Sequence, residues 1–448
     1  MQLQLDKIFK AYDVRGIYGT ELTEETAEKI GKAFVSFLKC REIVVGYDMR
    51  ISSPKLSKAF MEGAASAGAD VTDIGQVCTD AAYFASGFLK KPSVMFTASH
   101  NPKDYNGMKF TKADAVPINE DTGLKAIKKL IKKNRFIEPK KRGKIIKKNI
   151  LADYSKHVKK FIDAGKIKKL KIAVDAGNGM AGKIIPIVFK GLPVEVVPLY
   201  FGLDGNFPNH PADPSKPENL EDLKKIVFKE KCDFGMAFDG DADRVFFVDE
   251  KGSAVNSSLI ASMIAKNMLL KHSGQKVIYN LVCSRIVPET IRKYGGIPVI
   301  ERVGHSFIKD TMRKTKAIFA GEHSAHYYYR DNYRADSGMI TSLIITEIVS
   351  QSGSSLSEIA KEFQKYFTIS ETSIKLDDKD AKLREIELKY RGEAKKISKM
   401  DGITMEFEGW WFNVRPSNTE PLLRLNLEAD TEKLMQAKKE EIVRLMKS

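Results

Sequence analysis

Three times along the chain, the same rhythm of strand, helix, strand, helix and strand delivers a polar motif just past its third strand. The first copy runs through EIVVG (Glu42 to Gly46), a small-residue helix near Ser53 to Ala67, VTDIG, a further helical stretch and PSVMF, and enters TASHNPKDYNGMK. The second opens at Leu170 with LKIAVDA, takes a helix from about Gly182, then VEVVPLY, the helical ENLEDLKKIVFKEK and FGMAF, and enters DGDADR. The third begins at Lys276 with KVIYN, passes a helix to IPVIE and a second helix, IKDTMRKT, to AIFA, and enters GEHSAH. Such alternation predicts parallel or mixed sheets covered by helices, which present functional loops at the carboxyl ends of their strands. After Ser370 the pattern changes to ITMEFEGWWFNV, RPSNTEPLLRLNLEAD and a closing helix, which reads as a smaller α+β domain. A chain of 448 residues needs several cores in any case. The expected domains are 1–145, 146–252, 253–368 and 369–448.

Each repeated motif points to a chemistry. DGDADR sets Asp239, Asp241 and Asp243 on alternate residues, a spacing that lets a turning backbone wrap hard oxygen ligands around one divalent cation, with Mg²⁺ the first choice. It begins like an EF-hand loop, with Glu250 at the twelfth position, but Arg244 stands where the glycine belongs and strands flank it. TASHNP places Ser99 and His100 in a loop that Asn101-Pro102 forces to turn, where a hydroxyl can serve as nucleophile or phosphate carrier. Lys109 and Arg15 are suited to hold a phosphate dianion nearby. GEHSAHYYYRD offers Glu322, His323, Ser324 and His326; no third zinc ligand is evident beside the two histidines, so the group reads as recognition of hydroxyls on a polyol or sugar. RPSNTEP joins Arg415, Ser417, Asn418 and Thr419, one charge and three neutral donors, a set suited to a phosphate monoester.

Other signals point elsewhere. Gly177 to Gly182 fits G-x-G-x-x-G after a strand, with Glu195 at the end of the next, the form of a dinucleotide fingerprint. A nicotinamide-dependent oxidoreductase is therefore a rival class, against the reading of these glycines as a tight turn for close helix packing. The 74 Lys and Arg against 58 Asp and Glu leave +16, which suggests a polyanion. Between Lys125 and Lys171, however, stand 19 Lys and Arg against Glu138, Asp153 and Asp163, so this segment carries the whole excess. KAIKKLIKK and YSKHVKKFI there have helical spacing, and the segment reads as a solvated lysine face rather than a nucleic-acid arm. Cys40, Cys78, Cys232 and Cys283 lie too far apart for a zinc knuckle and read as reduced thiols. Without a signal-like start or a long apolar run, the expectation is a cytoplasmic protein with neither a nucleic-acid nor a membrane partner.

Taken together, TASHNP followed by NGMK, then DGDADR, GEHSAH and RPSNTEP, resemble the α-D-phosphohexomutase superfamily, phosphomannomutase/phosphoglucomutase branch, in order and interval over nearly the whole chain. The resemblance implies three related α/β domains with mixed sheets plus the smaller C-terminal domain, heart-shaped around a central cleft. It implies that Ser99 carries the phosphoryl group, and that Asp239, Asp241 and Asp243 hold Mg²⁺ beside it. Arg15, His100, Lys109 and Arg244 would line the transfer site. Glu322 and Ser324 would bind sugar hydroxyls, with His305 and His326 near the substrate, and Arg415, Ser417, Asn418 and Thr419 would clamp the non-reacting phosphate. Many members carry a lysine where this chain has Val282, and Arg285 is the candidate replacement.

The implied reaction interconverts mannose 1-phosphate and mannose 6-phosphate, and glucose 1-phosphate and glucose 6-phosphate, through a hexose 1,6-bisphosphate that also acts as activator. The bisphosphate must turn by half a revolution, and a C-terminal domain hinged near residue 368 would exclude water meanwhile. His100 and Lys109 are the candidate general bases. Phosphoglucosamine mutase is the neighbouring alternative, though that group usually carries Gln where His323 stands. A monomer or homodimer is expected.

Overall fold

The computed structural model describes residues 4–376, 378–417 and 422–448, and it divides into two compact units. The first comprises 1–256 and 324–359, the second 257–323 and 360–448. The third repeat is thus shared: its parallel strands belong to the second unit and its tail, from Ser324, to the first.

In the first unit, Glu42–Tyr47, Asp70–Gln76 and Ser93–Phe96 form the expected parallel strands, in the order 93–96, 42–47, 70–76. The strand Ile145–Lys147 extends that sheet in parallel at one edge, across the boundary expected near residue 145. At the other edge the structure adds strands that the repeat did not announce. Tyr105–Lys112 runs antiparallel to Ser93–Phe96, and Val14–Ile17 runs antiparallel to it in turn, with Arg15 opposite Gly107. Side chains alternate along a strand, so Arg15, opposite residue 107, shares a face with Lys109. The second sheet sets Phe234–Phe238, Leu170–Asp175 and Val194–Leu199 in parallel, and Val245–Asp249 returns antiparallel beside Phe234–Phe238. DGDADR is therefore the turn of a buried hairpin, closed by the Phe238–Val245 pair.

The same segment that looked like a dinucleotide fingerprint is packing. A Cβ at Gly182 would lie 2.2 Å from the Phe201 carbonyl oxygen, and one at Gly179 would lie 2.7 Å from that of Gly240. The Met180 N–H donates to Gly240 O at 2.9 Å. Gly179 thus lets this segment lie against the DGDADR turn, and Gly182 lets it lie against Phe201.

In the second unit, Lys276–Asn280 lies parallel to both Ile297–Glu301 and Phe319–Gly321. The C-terminal part is antiparallel, with Leu422–Ala429 paired to Trp410–Pro416, Thr372–Lys375 and Phe367–Thr368. The helices Lys379–Tyr390 and Glu432–Lys447 complete it, and Tyr390, Trp410 and Phe412 form its aromatic core. Among the described residues no helix is long and apolar enough to cross a membrane.

The helices Glu24–Leu38 and Ser53–Ser66 cover the first sheet through Phe34, Phe60 and Phe96. Their backbones meet at glycine: a Cβ at Gly63 would stand 2.1 Å from the Glu28 carbonyl oxygen. Alanine gains about 1 kcal/mol in helix propensity, but a clash with backbone offers no side chain to swing aside. Gly63→Ala is expected to destabilise the protein by about 1–3 kcal/mol, seen as a lower midpoint in denaturant unfolding; an unchanged midpoint would contradict this packing.

Candidate active site

The first unit brings Ser99, His100, Lys109, Arg15, Asp239, Asp241, Asp243 and Arg244 together. Ser99 is only 5% exposed and sits at φ +50°, the left-handed region that costs a non-glycine residue energy. Its N–H donates to Thr97 Oγ1 at 2.8 Å, and its hydroxyl donates to Asp239 Oδ2 at 2.7 Å, with His100 Nδ1 3.1 Å away. Gly240 makes this approach possible, since a Cβ there would lie 2.6 Å from the Ser99 carbonyl oxygen.

Three carboxylates are buried in the turn. Lys109 Nζ donates to Asp241 Oδ2 at 2.8 Å and Asp243 Oδ2 at 2.6 Å, and Arg244 Nε to Asp239 Oδ2 at 3.0 Å. Thr79 Oγ1 adds a 2.5 Å donation to Asp241 Oδ2. Burial and the Asp243 carboxylate push Asp239 well above the usual carboxylate range, against the pull of Arg244. At Asp241, burial and Asp243 act upward, but Lys109 and Thr79 hold the group below its ordinary value. The buried Oδ1 atoms of Asp241 and Asp243 have no hydrogen-bond partner. The cluster's ligand atoms all lie within 4.8 Å of one another. Hard, dehydrated carboxylate oxygens gathered in this way fit a divalent cation such as Mg²⁺.

The surroundings of the two candidate bases act on them in opposite directions. Burial lowers the Lys109 pKa, but Asp241 and Asp243 outweigh it and hold the ammonium well above its usual range. Burial, then Arg244 and Arg15, push His100 well below its ordinary value. Its Nδ1 accepts from Arg244 Nη2 at 2.6 Å, so the lone pair nearest Ser99 is already engaged. Arg15 donates to Asn101 Oδ1 at 2.5 Å and Asp13 Oδ2 at 2.6 Å, which orients it beside the loop.

Ser324 and His326 also belong to this unit, with Ser324 Oγ 3.1 Å from His326 Nδ1. His326 Nε2 reaches the acidic cluster, 3.7 Å from Asp243 Oδ1 and 3.8 Å from Asp336 Oδ2. Glu250 lies outside the cluster, accepting from the N–H and hydroxyl of Ser357, so the EF-hand register is not used. Arg50, Thr79 and Asp336 are the site-forming residues that the sequence did not single out.

The remaining predicted residues lie in the second unit. Glu322, 2% exposed, accepts from Asn280 Nδ2 at 3.2 Å. His305 opens the helix His305–Thr315 behind Gly304. Arg415 Nη2 donates to Glu371 Oε2 at 3.0 Å, and Arg424 Nη1 to Glu371 Oε1 at 2.8 Å. Burial raises the Glu371 pKa, but the two guanidiniums hold it below the ordinary value. Ser417 follows Arg415 at the strand end, and Asn418 and Thr419 lie outside the described residues. Arg285 donates to Glu428 Oε1 and Asp430 Oδ1, each at 2.8 Å, and stacks on Tyr366, while Val282 is buried. Its charge is thereby paired within its own unit.

Comparison with known proteins agrees with this constellation. The models for phosphoglucomutase/phosphomannomutase match in order: alpha/beta/alpha domain I over 6–138, domain II over 152–252, domain III over 256–366 and the C-terminal domain over 371–445. A phosphomannomutase of Vibrio cholerae is 41% identical, covering 98% of each chain. A relative named phosphohexose mutases, from Xanthomonas campestris pv. campestris, is 39% identical over 98% of this chain and 99% of its own. The crystal structure of a phosphoglucomutase/phosphomannomutase family protein from Burkholderia thailandensis superposes with a TM-score of 0.90 at 32% identity, covering 100% of this chain and 98% of that one. Four successive domain matches and full-length similarity thus agree with the buried serine and aspartates: this chain belongs to the phosphoglucomutase/phosphomannomutase family.

Proposed function

We propose that this enzyme interconverts mannose 1-phosphate and mannose 6-phosphate, and the corresponding glucose phosphates, through a phosphoserine at Ser99 and a hexose 1,6-bisphosphate. The observation that carries the reading is the Ser99 hydroxyl held 2.7 Å from Asp239 in a buried cluster with unpartnered carboxylate oxygens. Asp239, Asp241 and Asp243 would hold Mg²⁺, which when bound supplies charge neutralisation for the transferring phosphoryl group. The relatives' names support the hexose phosphate class.

The residues divide the work. Ser99 exchanges the phosphoryl group with a sugar oxygen, and Arg15 and Arg244 balance the phosphate's charge beside it. Lys109, paired with Asp241 and Asp243, adds a third cation. The Ser99 hydroxyl donates to Asp239 Oδ2 at 2.7 Å, which aims Oγ into the cluster. Glu322, Ser324, His305 and His326 offer acceptors and donors for sugar hydroxyls. Arg415, Ser417, Asn418 and Thr419 supply a clamp for the phosphate that is not transferred. A fixed clamp with one reactive serine accepts either end of the bisphosphate, so one set of groups serves both directions.

A coupled assay with mannose, glucose and glucosamine 1-phosphates, Mg²⁺ and a trace of hexose 1,6-bisphosphate tests the class and substrate together. Turnover of the mannose and glucose phosphates is expected, and none with any hexose phosphate would sink the proposal. Ser99→Ala is expected to abolish both turnover and the phosphorylated form of the loop in mass spectrometry. Lys109→Met leaves buried carboxylates unpaired and should destabilise the cation-free protein by about 3–5 kcal/mol. Added Mg²⁺ should then raise the Tm of the variant more than that of the parent. A variant whose Tm ignores Mg²⁺ would remove the metal from this cluster.

A further inference from the structure

One buried side chain gathers the carbonyls of the Ser99 loop. Arg50, in the turn after the strand Glu42–Tyr47, is 1% exposed. Its Nη2 donates to the carbonyl oxygens of Ser99 at 2.8 Å and Asn101 at 2.6 Å, and its Nη1 to those of Pro102 at 2.8 Å and Tyr105 at 2.9 Å. Irregular backbone buried this deeply would otherwise leave several acceptors without partners, which is costly. A guanidinium is the one side chain whose rigid, planar fork can satisfy four at once. Lysine offers three donors from a single atom and cannot span them.

The fork is itself braced. Asp48 Oδ1 accepts the Arg50 N–H at 2.9 Å and the Ser53 hydroxyl at 2.6 Å, and Asp48 Oδ2 lies 3.5 Å from Arg50 Nε. Asn106 Nδ2 donates to the hydroxyls of Ser52 and Ser53, which ties the same turn to the strand that follows the loop. Ser99 needs such a restraint because its left-handed backbone is not its resting preference. Thr97 holds the peptide on its amino side and Arg50 the one on its carboxyl side.

We propose that Arg50 is a positioning residue for phosphoryl transfer, holding Ser99 in its strained conformation through the loop carbonyls so that Oγ stays aimed at Asp239. The inference rests on the reading of Ser99 as the phosphoryl carrier. Misplacing a reacting atom by about 1 Å costs on the order of 100-fold in rate, whereas groups that bind the hexose phosphate are untouched.

The test uses the full-length Arg50→Lys and Arg50→Ala variants with mannose 1-phosphate, Ser99→Ala serving as control. Arg50→Lys is expected to lose roughly 10- to 100-fold in kcat with KM changed by less than about threefold. Amide hydrogen exchange should quicken at residues 99–105 and not elsewhere. Guanidinium ion, at concentrations too low to unfold the protein, should restore part of the kcat of Arg50→Ala. An unchanged kcat in Arg50→Lys overturns the proposal. So does a loss shared by kcat, KM and the unfolding midpoint without guanidinium rescue, which would make Arg50 a general stabiliser. Should the Arg50 variants fail to fold, Asp48→Asn, which weakens the brace, must show the same kcat-selective loss in smaller measure, and a normal kcat there overturns the proposal. Full activity in Ser99→Ala would instead remove the phosphoserine reading, a separate failure.

Discussion

Everything in the first unit's site follows from one constraint: three carboxylates are buried on a six-residue turn, and a buried charge without a partner is too costly to keep. The turn supplies only Arg244 from within itself. Lys109, from the antiparallel edge of the other sheet, must enter to neutralise Asp241 and Asp243. Thr79, at the start of a helix, bonds both the side chain and the backbone of Asp241. The acidic turn and the serine loop therefore come together by charge pairing as much as by packing. The oxygens left unpartnered after that pairing are the ones available to a cation.

Close approach is the second condition, and glycine supplies it. Gly240 admits the Ser99 carbonyl on one side of the turn, while Gly179 and the Met180 N–H lie against its own carbonyl on the other. A side chain at either position would separate loops whose contacts are hydrogen bonds of under 3 Å. Arg50 does the complementary task from beneath the serine loop. Both devices act on backbone, so the geometry of Oγ is set by atoms that carry no chemistry of their own.

That division explains what was legible in the sequence. The repeats, the aspartate triplet, Ser99 and Lys109 were visible because transfer chemistry requires particular residue types at particular spacings. Parallel strands with loops at their carboxyl ends followed from the alternation alone. Val14–Ile17 was not visible: it has four residues, and its pairing to Tyr105–Lys112 spans some ninety positions. Arg50 escaped notice because its partners are carbonyls, which every residue has. The Gly177 to Gly182 pattern was ambiguous for the opposite reason, since close helix packing and pyrophosphate binding demand the same absence of side chains. Glu371 was a lone glutamate in the chain, and only folding set it across Arg415 and Arg424.

The same distinction separates two kinds of basic residue in the chain. The lysines between Lys125 and Lys171 that form ion pairs do so in exposed settings, as Lys128 and Lys132 do with Asp6, and Lys125 with Glu120 and Asp121. Such pairs are worth at most about 1 kcal/mol and fade with salt. Lys109, Arg244 and Arg415 hold their acids in buried or nearly buried surroundings, where water cannot screen them. A phosphate dianion entering such surroundings meets cations already fixed in direction by carboxylates, so their reorganisation is largely complete before it arrives. The +16 of the whole chain is thus a different matter from the few cations whose direction carboxylates fix.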